Sequence, residues 1–448
     1  MTFINLMKEK ETRNKVLYTV LVLLIVNFLV QLPIFCIKSN YLEYLFSSTS
    51  VLTFMDSLSG GSMSKLSVAG FGITSYITAT IIIQLAAVIF PKIEKIRKSG
   101  ESGKKLMKKI EFAFAMVMTF ISGLSMAIAY GRNGLFIKFT PFYVCVALLC
   151  WLVGSAIVIL LAQSVEEKGI GNGISLILCF NILSRIPNNI QEYIATYAIG
   201  KGMLKALVYV GGLVVALYIF YVIAIYLQCG VLNVPLLQTK KSVSVMNDEG
   251  SVPVSVNISN VLPVIYASSI LAMPQLIALF FGIQTKGKVA KIIDMLTTSN
   301  WYAPTKWYHL VGLAVYVICI IAFSFFASRL SFSSEELADS MKKNGDVIPG
   351  VKPGSETVAF FERRRKVMSL INVLFLLVIA LLPDFICTRL GLIHFTFLGT
   401  SLIIIVSCLF DIALRLRAAS IHNDRHYSLF LNKSGKSKRV TNPERQEA

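Results

Sequence analysis

The sequence predicts an all-α polytopic membrane protein of ten transmembrane helices, arranged as two pseudo-symmetric five-helix halves with one re-entrant segment. Of its 448 residues, 55% are hydrophobic and only 15% are charged, whereas soluble domains carry about 25% charged residues. Ten apolar windows approach the roughly 20 residues that a helix needs to cross about 30 Å of hydrocarbon. All 43 Lys and Arg residues fall outside these windows, as expected of membrane spans.

The ten spans divide into two groups of five, and an odd number per half is compatible with an inverted repeat. They cover residues 16–36, 70–90, 112–130, 142–162, 173–184, 206–227, 261–282, 309–326, 368–387 and 394–414. The fifth is short, and Arg185 is expected to end it. The corresponding regions are a 1–15 N-terminus, a 16–200 N-terminal half, a 201–420 C-terminal half with loops 229–260 and 327–366, and a 421–448 basic tail.

The distribution of basic residues predicts the orientation. The formal net charge of +19 would suggest a nucleic-acid partner in a soluble protein. Here 31 of the 43 basic residues lie in connections on the side of the two termini, and 12 lie on the opposite side. Because cytoplasmic loops carry the excess of Lys and Arg, both termini are expected in the cytoplasm.

The segment between the first two spans is moderately apolar but is interrupted by polar residues and glycines. Irregular backbone survives at membrane depth only where protein or a water-filled cavity surrounds it. We therefore expect a re-entrant segment over about 51–70, with an ordinary extracellular loop as the alternative.

The second span places Ile73, Ile77 and Ile81 on one helix face. Branched apolar side chains can form a constriction that excludes water, although composition alone favours packing for these three. The stretch EEKGIGNGISLI, residues 166–177, is interpreted as a tight glycine turn and not as a dinucleotide site, because it lacks the full GxGxxG spacing.

The two long cytoplasmic loops have local structure of their own. The sequence SVSVMNDEGSVPVSVNI in loop 229–260 predicts a β-hairpin that turns at 247–250. In loop 327–366, EELADSMKKNG predicts a helix stopped by glycine. No cofactor is expected from either loop, and the pair His422 and His426 lacks the further ligands that a zinc site needs.

Two other classes of membrane protein compete with a channel. A secondary transporter of a small solute would also show ten spans, but it usually needs ionisable residues at the membrane midplane. The spans contain no Lys or Arg, and their acids, Asp384 and Asp411, lie near span ends. A membrane enzyme would need a nucleophile and base pair or a metal cluster, and none is apparent.

Five segments in order resemble the signature segments of the SecY family, the channel subunits of the bacterial Sec protein translocase. They are GGSMSKLSVAGFGITSYITATIIIQLA, EKGIGNGISLI, NVLPVIYASSI, ADSMKKNGDVIPGVKPG and FLGTSLIIIVSCLFD, and the similarity extends over about residues 15–430. The resemblance implies a translocon channel that conducts unfolded secretory polypeptides across the membrane and releases transmembrane segments into the lipid bilayer. It also implies small SecE and SecG type subunits, and a SecA type motor ATPase or a ribosome that docks on the cytoplasmic loops.

The resemblance assigns roles to particular positions. A plug over about 52–68 would include Asp56, Gly60, Gly61, Ser62 and Ser64. A pore ring would comprise Ile73, Ile77, Ile174, Leu178, Ile265 and Ile404. A lateral gate between spans two and seven would involve Thr78, Gln84, Ser268, Ser269 and Met273. Motor docking would involve Lys240, Lys241, Glu335, Lys342, Lys343 and Lys352.

Several positions depart from the family pattern. Lys352 and Glu335 stand where relatives often have arginine, Ser75 replaces a proline, and loop 229–260 has few basic residues. Lysine lacks the rigid five-donor fork of arginine. These departures favour either a divergent housekeeping channel or an accessory SecY that serves a specialised motor.

Overall fold

The computed structural model describes residues 10–35, 37, 56, 59–131, 136, 140–194, 203–238, 250–259, 261–280, 295–296, 301, 308–389 and 401–416. Helices predominate among them, as the sequence predicts. The helices are α1 (Lys10–Gln31), α2 (Gly72–Ile89), α3 (Pro91–Lys98), α4 (Gly100–Tyr130), α5 (Pro141–Lys168), α6 (Gly173–Tyr193), α7 (Met203–Cys229), α8 (Leu262–Phe280), α9 (Tyr308–Ser331), α10 (Ser334–Asn344), α11 (Ser355–Arg389) and α12 (401–416).

Each of the ten predicted spans coincides with one described helix: α1, α2, α4 to α9, α11 and α12. By length and composition, five described helices can cross a membrane, namely α1, α4, α5, α9 and α11. Helices α2 and α3 add a sixth if this pair, bent by 110° at its break, counts as one span. The bend lies at Pro91, which occupies the first turn of α3, a position where proline is tolerated because its missing N–H is not needed.

The helices pack into two groups that follow the predicted halves. Helix α5 packs against α1, α2, α4 and α6, whereas α9 packs against α8 and α11. The halves meet where α4 contacts α8, and one large apolar cluster contains residues of both halves.

Helix α6 is longer than the sequence predicts. It continues through Arg185 and Pro187 to Tyr193, so Arg185 does not end the fifth span. The arginine stays in the helix because its guanidinium forms an ion pair with Asp56, which compensates the cost of bringing this charge among apolar helices.

A small subdomain, named the cytoplasmic subdomain after the predicted orientation of its loops, is built from both long loops. Strand β1 (Val231–Gln238) pairs antiparallel with β2 (Gly250–Ser255) on one side and with β3 (Asp346–Val347) on the other. The hairpin is therefore confirmed, but its first strand lies upstream of the predicted 242–246, because VLNVPLLQ supplies the buried Val234 and Leu236. Of the predicted turn at 247–250, Gly250 is instead the first residue of β2 and pairs with Leu236, and residues 247–249 lie outside the described part of the chain.

The predicted helix in loop 327–366 is confirmed as α10. The Ser333 side chain accepts a hydrogen bond from the Glu336 N–H at its start, and Gly345 ends it with a φ of 76°. Left-handed backbone of this kind favours glycine. Met341 of α10 packs with Ile348 and with Phe361 of α11 against the sheet.

Candidate functional site

Four helices bring the predicted ring residues together. Ile73 and Ile77 come from α2, Leu178 from α6, Ile265 from α8 and Ile404 from α12, and all five side chains are between 5 and 8% exposed. They belong to one apolar cluster, against which the partly buried Ile174 packs. The six positions therefore share one apolar cluster that contains residues of both halves.

The local sequence determines how α6 enters this apolar cluster. Gly171 has a φ of 97°, and a Cβ on Gly173 would lie 1.9 Å from the Ala162 carbonyl oxygen, so no other residue fits there without a backbone shift. The Asn172 side chain then accepts hydrogen bonds from Ile174 N (3.1 Å) and Ser175 N (3.3 Å), which caps the helix. The glycines of the EKGIGNG turn thus position Ile174 and, one turn later, Leu178.

A cavity of about 310 Å³ borders this apolar cluster. Five ring residues contribute to its wall: Ile77, Ile174, Leu178, Ile265 and Ile404. Polar and charged side chains line most of the remainder, including the ion pair of Lys108 with Glu166 at 2.5 Å. The Tyr76 hydroxyl donates to Glu111 Oε2 at 2.9 Å. We call this cavity the vestibule. Its wall is largely polar, and the five ring positions contribute an apolar part.

The segment 59–70 is irregular and buried, as expected of a re-entrant segment. Gly60 and Gly61 have φ values of 73° and 84°, and the backbone closes on itself through Ser67 N to Ser62 O at 2.9 Å. Asp56, which is 1% exposed, organises the segment by accepting the Ser64 N–H at 2.7 Å. Irregular backbone is therefore satisfied within protein.

Helix α6 also holds this segment. Asp56 forms an ion pair with Arg185, and the Arg185 side chain is 26% exposed. Gly60 lies so close to α6 that an added Cβ would be 3.0 Å from the Asn181 side chain. Asp56 is a predicted plug residue, whereas Arg185 had no predicted role at the plug. A lone arginine at the end of an apolar span was the signal that could have identified Arg185.

Helix α5 supports the same segment from another side. The Trp151 ring, which is fully buried, meets the Phe71 ring edge-on at 5.1 Å. A Cβ on Gly154 would lie 2.1 Å from the Val68 carbonyl oxygen. Neither Trp151 nor Gly154 was a predicted site residue, because the contact depends on a tertiary approach that spacing does not encode.

The predicted gate residues behave differently from one another. Gln84 of α2 accepts a hydrogen bond from the Tyr266 hydroxyl of α8 at 2.5 Å, and this bond joins the two helices. Thr78 instead donates to the Thr74 carbonyl of its own helix, and Ser268 shares a hydrogen bond with Tyr316 of α9 at 3.5 Å.

The two remaining gate positions lie on α8. Ser269 is buried, and the Met273 side chain lies outside the described residues. Tyr266, which bonds to the predicted gate residue Gln84, was not a predicted site residue, although it lies inside the NVLPVIYASSI segment.

The predicted docking residues lie around the cytoplasmic subdomain. Glu335 is in the first turn of α10, and Lys342 and Lys343 are in its last turn, where each charge is favourable to the helix dipole. Lys352 is exposed, and its backbone N–H donates to Glu356 at 3.2 Å. Lys240 and Lys241 lie outside the described residues.

Among the described residues, no group of three or more His, Cys, Asp or Glu side chains is arranged to hold a metal ion. The pair His422 and His426 falls outside them.

Branched apolar side chains shared by two groups of helices, a largely polar cavity beside them and a buried irregular segment are the features expected of a channel-type multi-pass membrane protein. The SecY family model matches residues 67–413. The chain therefore belongs to the SecY family, and its function is that of a protein translocase channel subunit.

Curated relatives agree over most of the chain. The protein translocase subunit SecY of Bacillus subtilis strain 168 is 31% identical over 441 residues, covering 96% of this chain and 99% of the relative. The protein translocase subunit SecY of Staphylococcus carnosus strain TM300 is 28% identical over 389 residues, covering 85% and 88% respectively.

Solved structures share the fold. A protein-conducting channel matches with a TM-score of 0.66 at 18% identity. A SecY structure concerned with the plug domain, which stabilises the closed state of the channel and maintains a membrane seal, matches with a TM-score of 0.68 at 18% identity. Sec61 of a canine ribosome–channel complex matches with 0.63 at 19%. Each covers 92% of this chain and 94% of the matched chain.

Proposed function

We propose that this chain conducts unfolded polypeptides through the constriction between α2, α6, α8 and α12, and that segment 52–68 is the plug that closes it. The observation that best supports this proposal is the order of contacts along α6. Asn172 and Ser175 line the vestibule, Leu178 belongs to the constriction, and Arg185 binds Asp56 of the plug. At 1.5 Å per residue, Arg185 lies about 10 Å beyond Leu178 along the helix.

Helix α2 gives the same order. Gly72, at its start, adjoins plug residues in the chain, Ile73 and Ile77 follow in the constriction, and Gln84 lines the vestibule. Two helices, one running in each direction, thus support an hourglass in which the plug and the vestibule are on opposite sides of the ring. The basic-residue bias assigns the vestibule to the cytoplasm and the plug to the outside.

Such a ring suits the transport of an extended chain. A narrow apolar bore does not stay wetted, so it excludes ions while the pore is empty. Branched side chains can move apart around an incoming polypeptide. The protein then acts as a passive conduit and not as an enzyme, and direction comes from a partner.

Lateral release into lipid requires the two halves to separate between α2 and α8. The bond from Tyr266 to Gln84 crosses this boundary and supports a gate there. Its loss would allow an apolar segment of about 20 residues to partition into the bilayer.

The cytoplasmic subdomain is the proposed docking surface for a SecA type motor or a ribosome, with small SecE and SecG type subunits alongside the helices. Exposed Lys342, Lys343 and Lys352 supply positive charge there. The Glu335 position and the scarcity of basic residues in loop 229–260 support either a divergent housekeeping channel or an accessory channel that serves a specialised motor.

The secondary-transporter alternative has less support. The charged residues of the vestibule, Lys108, Glu166 and Asp411 among them, lie near the ends of the predicted spans and not at the midplane where ion coupling usually occurs.

Reconstitution tests the proposed function. The chain is co-purified with its small subunits in mild detergent, placed in proteoliposomes, and supplied with the co-purifying ATPase, ATP and an unfolded secretory protein. We expect the substrate to become protected from protease inside the vesicles. Protection that is equally strong in protein-free liposomes, or uptake of small solutes without any polypeptide transport, would refute the proposal.

A further inference from the structure

Three buried polar side chains join the base of the β1–β2 hairpin to helix α12. Asn257 follows β2, Gln228 lies in the last turn of α7, and Ser407 lies on α12. All three side chains are buried. Asn257 Nδ2 donates to Gln228 Oε1 at 2.6 Å, and Gln228 Nε2 donates to Ser407 Oγ at 3.3 Å. We call these three residues the polar relay.

The hairpin is continuous with the polar relay. Strand pairing reaches Val231 with Ser255, and one further backbone hydrogen bond follows, from Val256 N to Gly230 O at 2.8 Å. The bond from Asn257 to Gln228 comes next along the same two segments. The Gln228 side chain is therefore attached to the hairpin through consecutive hydrogen bonds.

The other end of the polar relay lies on a helix of the ring. Ser407 comes three residues after the ring residue Ile404, and residues three apart are neighbours on a helix surface. Both residues line the vestibule. Because backbone hydrogen bonds hold one turn of helix together, a displacement of Ser407 moves Ile404 with it.

The polar character of Asn257 needs an explanation, because a buried amide is costly unless its atoms find partners. Its Oδ1 atom is buried and accepts no hydrogen bond from the described residues. Within this part of the chain, the side chain is held through the bond from Nδ2 to Gln228. An apolar side chain would fill the same space without this cost. The amide is therefore better explained by the bond it makes than by packing.

From these contacts we infer that Gln228 and Asn257 are positioning residues, which hold Ile404 in the closed ring from the base of the hairpin. Opening the ring around a polypeptide requires Ile404 to move outward with α12. This movement separates Ser407 from Gln228, and bonds that are present only in the closed arrangement stabilise it. The inference rests on the proposed function, because it gives these residues a task at the proposed ring.

Basal ion conductance tests this role. The full-length protein with its co-purified small subunits is placed in planar bilayers without substrate, and conductance is normalised to the protein that elutes as wild type in gel filtration. Gln228→Met and Asn257→Leu keep the approximate size of each side chain and remove its hydrogen bonds. Because a buried polar group that loses its partner is destabilised, each variant should raise basal conductance about tenfold.

Asn372→Leu is the matched control. Asn372 of α11 is also buried, its Nδ2 donates to Ser259 Oγ at 2.5 Å, and its Oδ1 atom accepts no hydrogen bond from the described residues. Ser259 in turn contacts Ser324 of α9. Neither α9 nor α11 carries a predicted ring residue. The control removes an equivalent buried bond from the same half, so its basal conductance should equal that of wild type.

A double-mutant cycle provides a readout that general destabilisation does not produce. Ser407→Ala removes the other end of the bond from Gln228 and should also raise conductance about tenfold. Two changes to one bond are not additive. Gln228→Met combined with Ser407→Ala should therefore remain at about tenfold and not reach about a hundredfold. Ser407→Ala is the smallest change, so it carries the test if Gln228→Met does not fold.

Several results would overturn the inference. Wild-type conductance in the variants of the polar relay would exclude a positioning role, and an equal rise in Asn372→Leu would indicate general loosening of the C-terminal half. A multiplicative rise in the double variant would show that Gln228 and Ser407 act independently. Ile404→Ser separates this failure from that of the proposed function. If Ile404→Ser raises conductance and the relay variants do not, the positioning role alone fails; if Ile404→Ser has no effect either, the proposed ring fails with it.

Discussion

The ion pair between Asp56 and Arg185 is expected to hold the plug closed, and its two partners should contribute unequally. Asp56 is 1% exposed, whereas the Arg185 side chain is 26% exposed. Replacing Arg185 by Ala leaves a carboxylate buried without its partner. Replacing Asp56 by Asn leaves an arginine that reaches water, and the amide oxygen of Asn can still accept the Ser64 N–H that is 2.7 Å away.

The different exposure of the two side chains determines how strongly each substitution should shift the plug equilibrium. Removing one partner of a buried pair costs about 3 kcal/mol or more, which corresponds to a roughly hundredfold change in the plug equilibrium. Loss of a pair whose remaining partner is partly solvated costs about 1 kcal/mol, or roughly fivefold. Arg185→Ala should therefore open the channel far more often than Asp56→Asn.

Single-channel conductance in planar bilayers without substrate measures these openings. Lys65→Gln is the control, because it removes a charge from the same segment at an exposed side chain that, among the described residues, bonds to Gln31. Openings as rare in Arg185→Ala as in wild type would refute the proposal that this ion pair holds the plug closed. Openings more frequent in Asp56→Asn than in Arg185→Ala would also refute it.

Three further predictions concern the ring, the gate and the docking surface. Ile77→Ser and Ile265→Ser should each raise basal ion conductance about fiftyfold, since each substitution removes three apolar carbons, worth ~2.4 kcal/mol. The control Leu149→Ser, at a position that is 61% exposed and expected to face lipid, should not raise conductance. Unchanged conductance in the two ring variants would exclude a pore role. In a cysteine-free background, a bifunctional thiol reagent that joins cysteines at Gln84 and Tyr266 should block export, whereas joining Ser268 and Tyr316, both in the C-terminal half, should not. Normal export after the first crosslink would refute the gate. Lys352→Glu should weaken motor binding about fivefold by co-sedimentation, whereas Lys105→Glu should not; equal binding by both would exclude the docking contact.

The sequence was sufficient to predict the spans, because membrane helices are determined by local composition. The ten apolar windows coincide with described helices, and the glycine stop of α10 is confirmed at Gly345. Periodicity also placed Ile73 and Ile77 on one face. Assigning that face to a ring with Ile174, Leu178, Ile265 and Ile404 required the family resemblance, since residues nearly 200 positions apart meet only in the folded chain.

Tertiary contacts explain the remaining differences. Arg185 was expected to end a span, yet its partner on the plug keeps it within α6. Likewise, β1 could not be located from alternation alone, because the burial of Val234 and Leu236 against α10 and α11 decides the pairing. Tyr266 joins Gln84 through a packing of α8 beside α2 that has no local sequence signal.

The central claim is that a translocating polypeptide passes through the ring. A photo-crosslinking amino acid placed at Ile77 or Ile265, with a secretory protein stalled midway during transport, tests it directly. Passage through the ring predicts crosslinks from Ile77 and Ile265 to the stalled chain, and none from Leu149 on the lipid-facing side of α5. Crosslinks from Leu149 with none from Ile77 and Ile265 would contradict it.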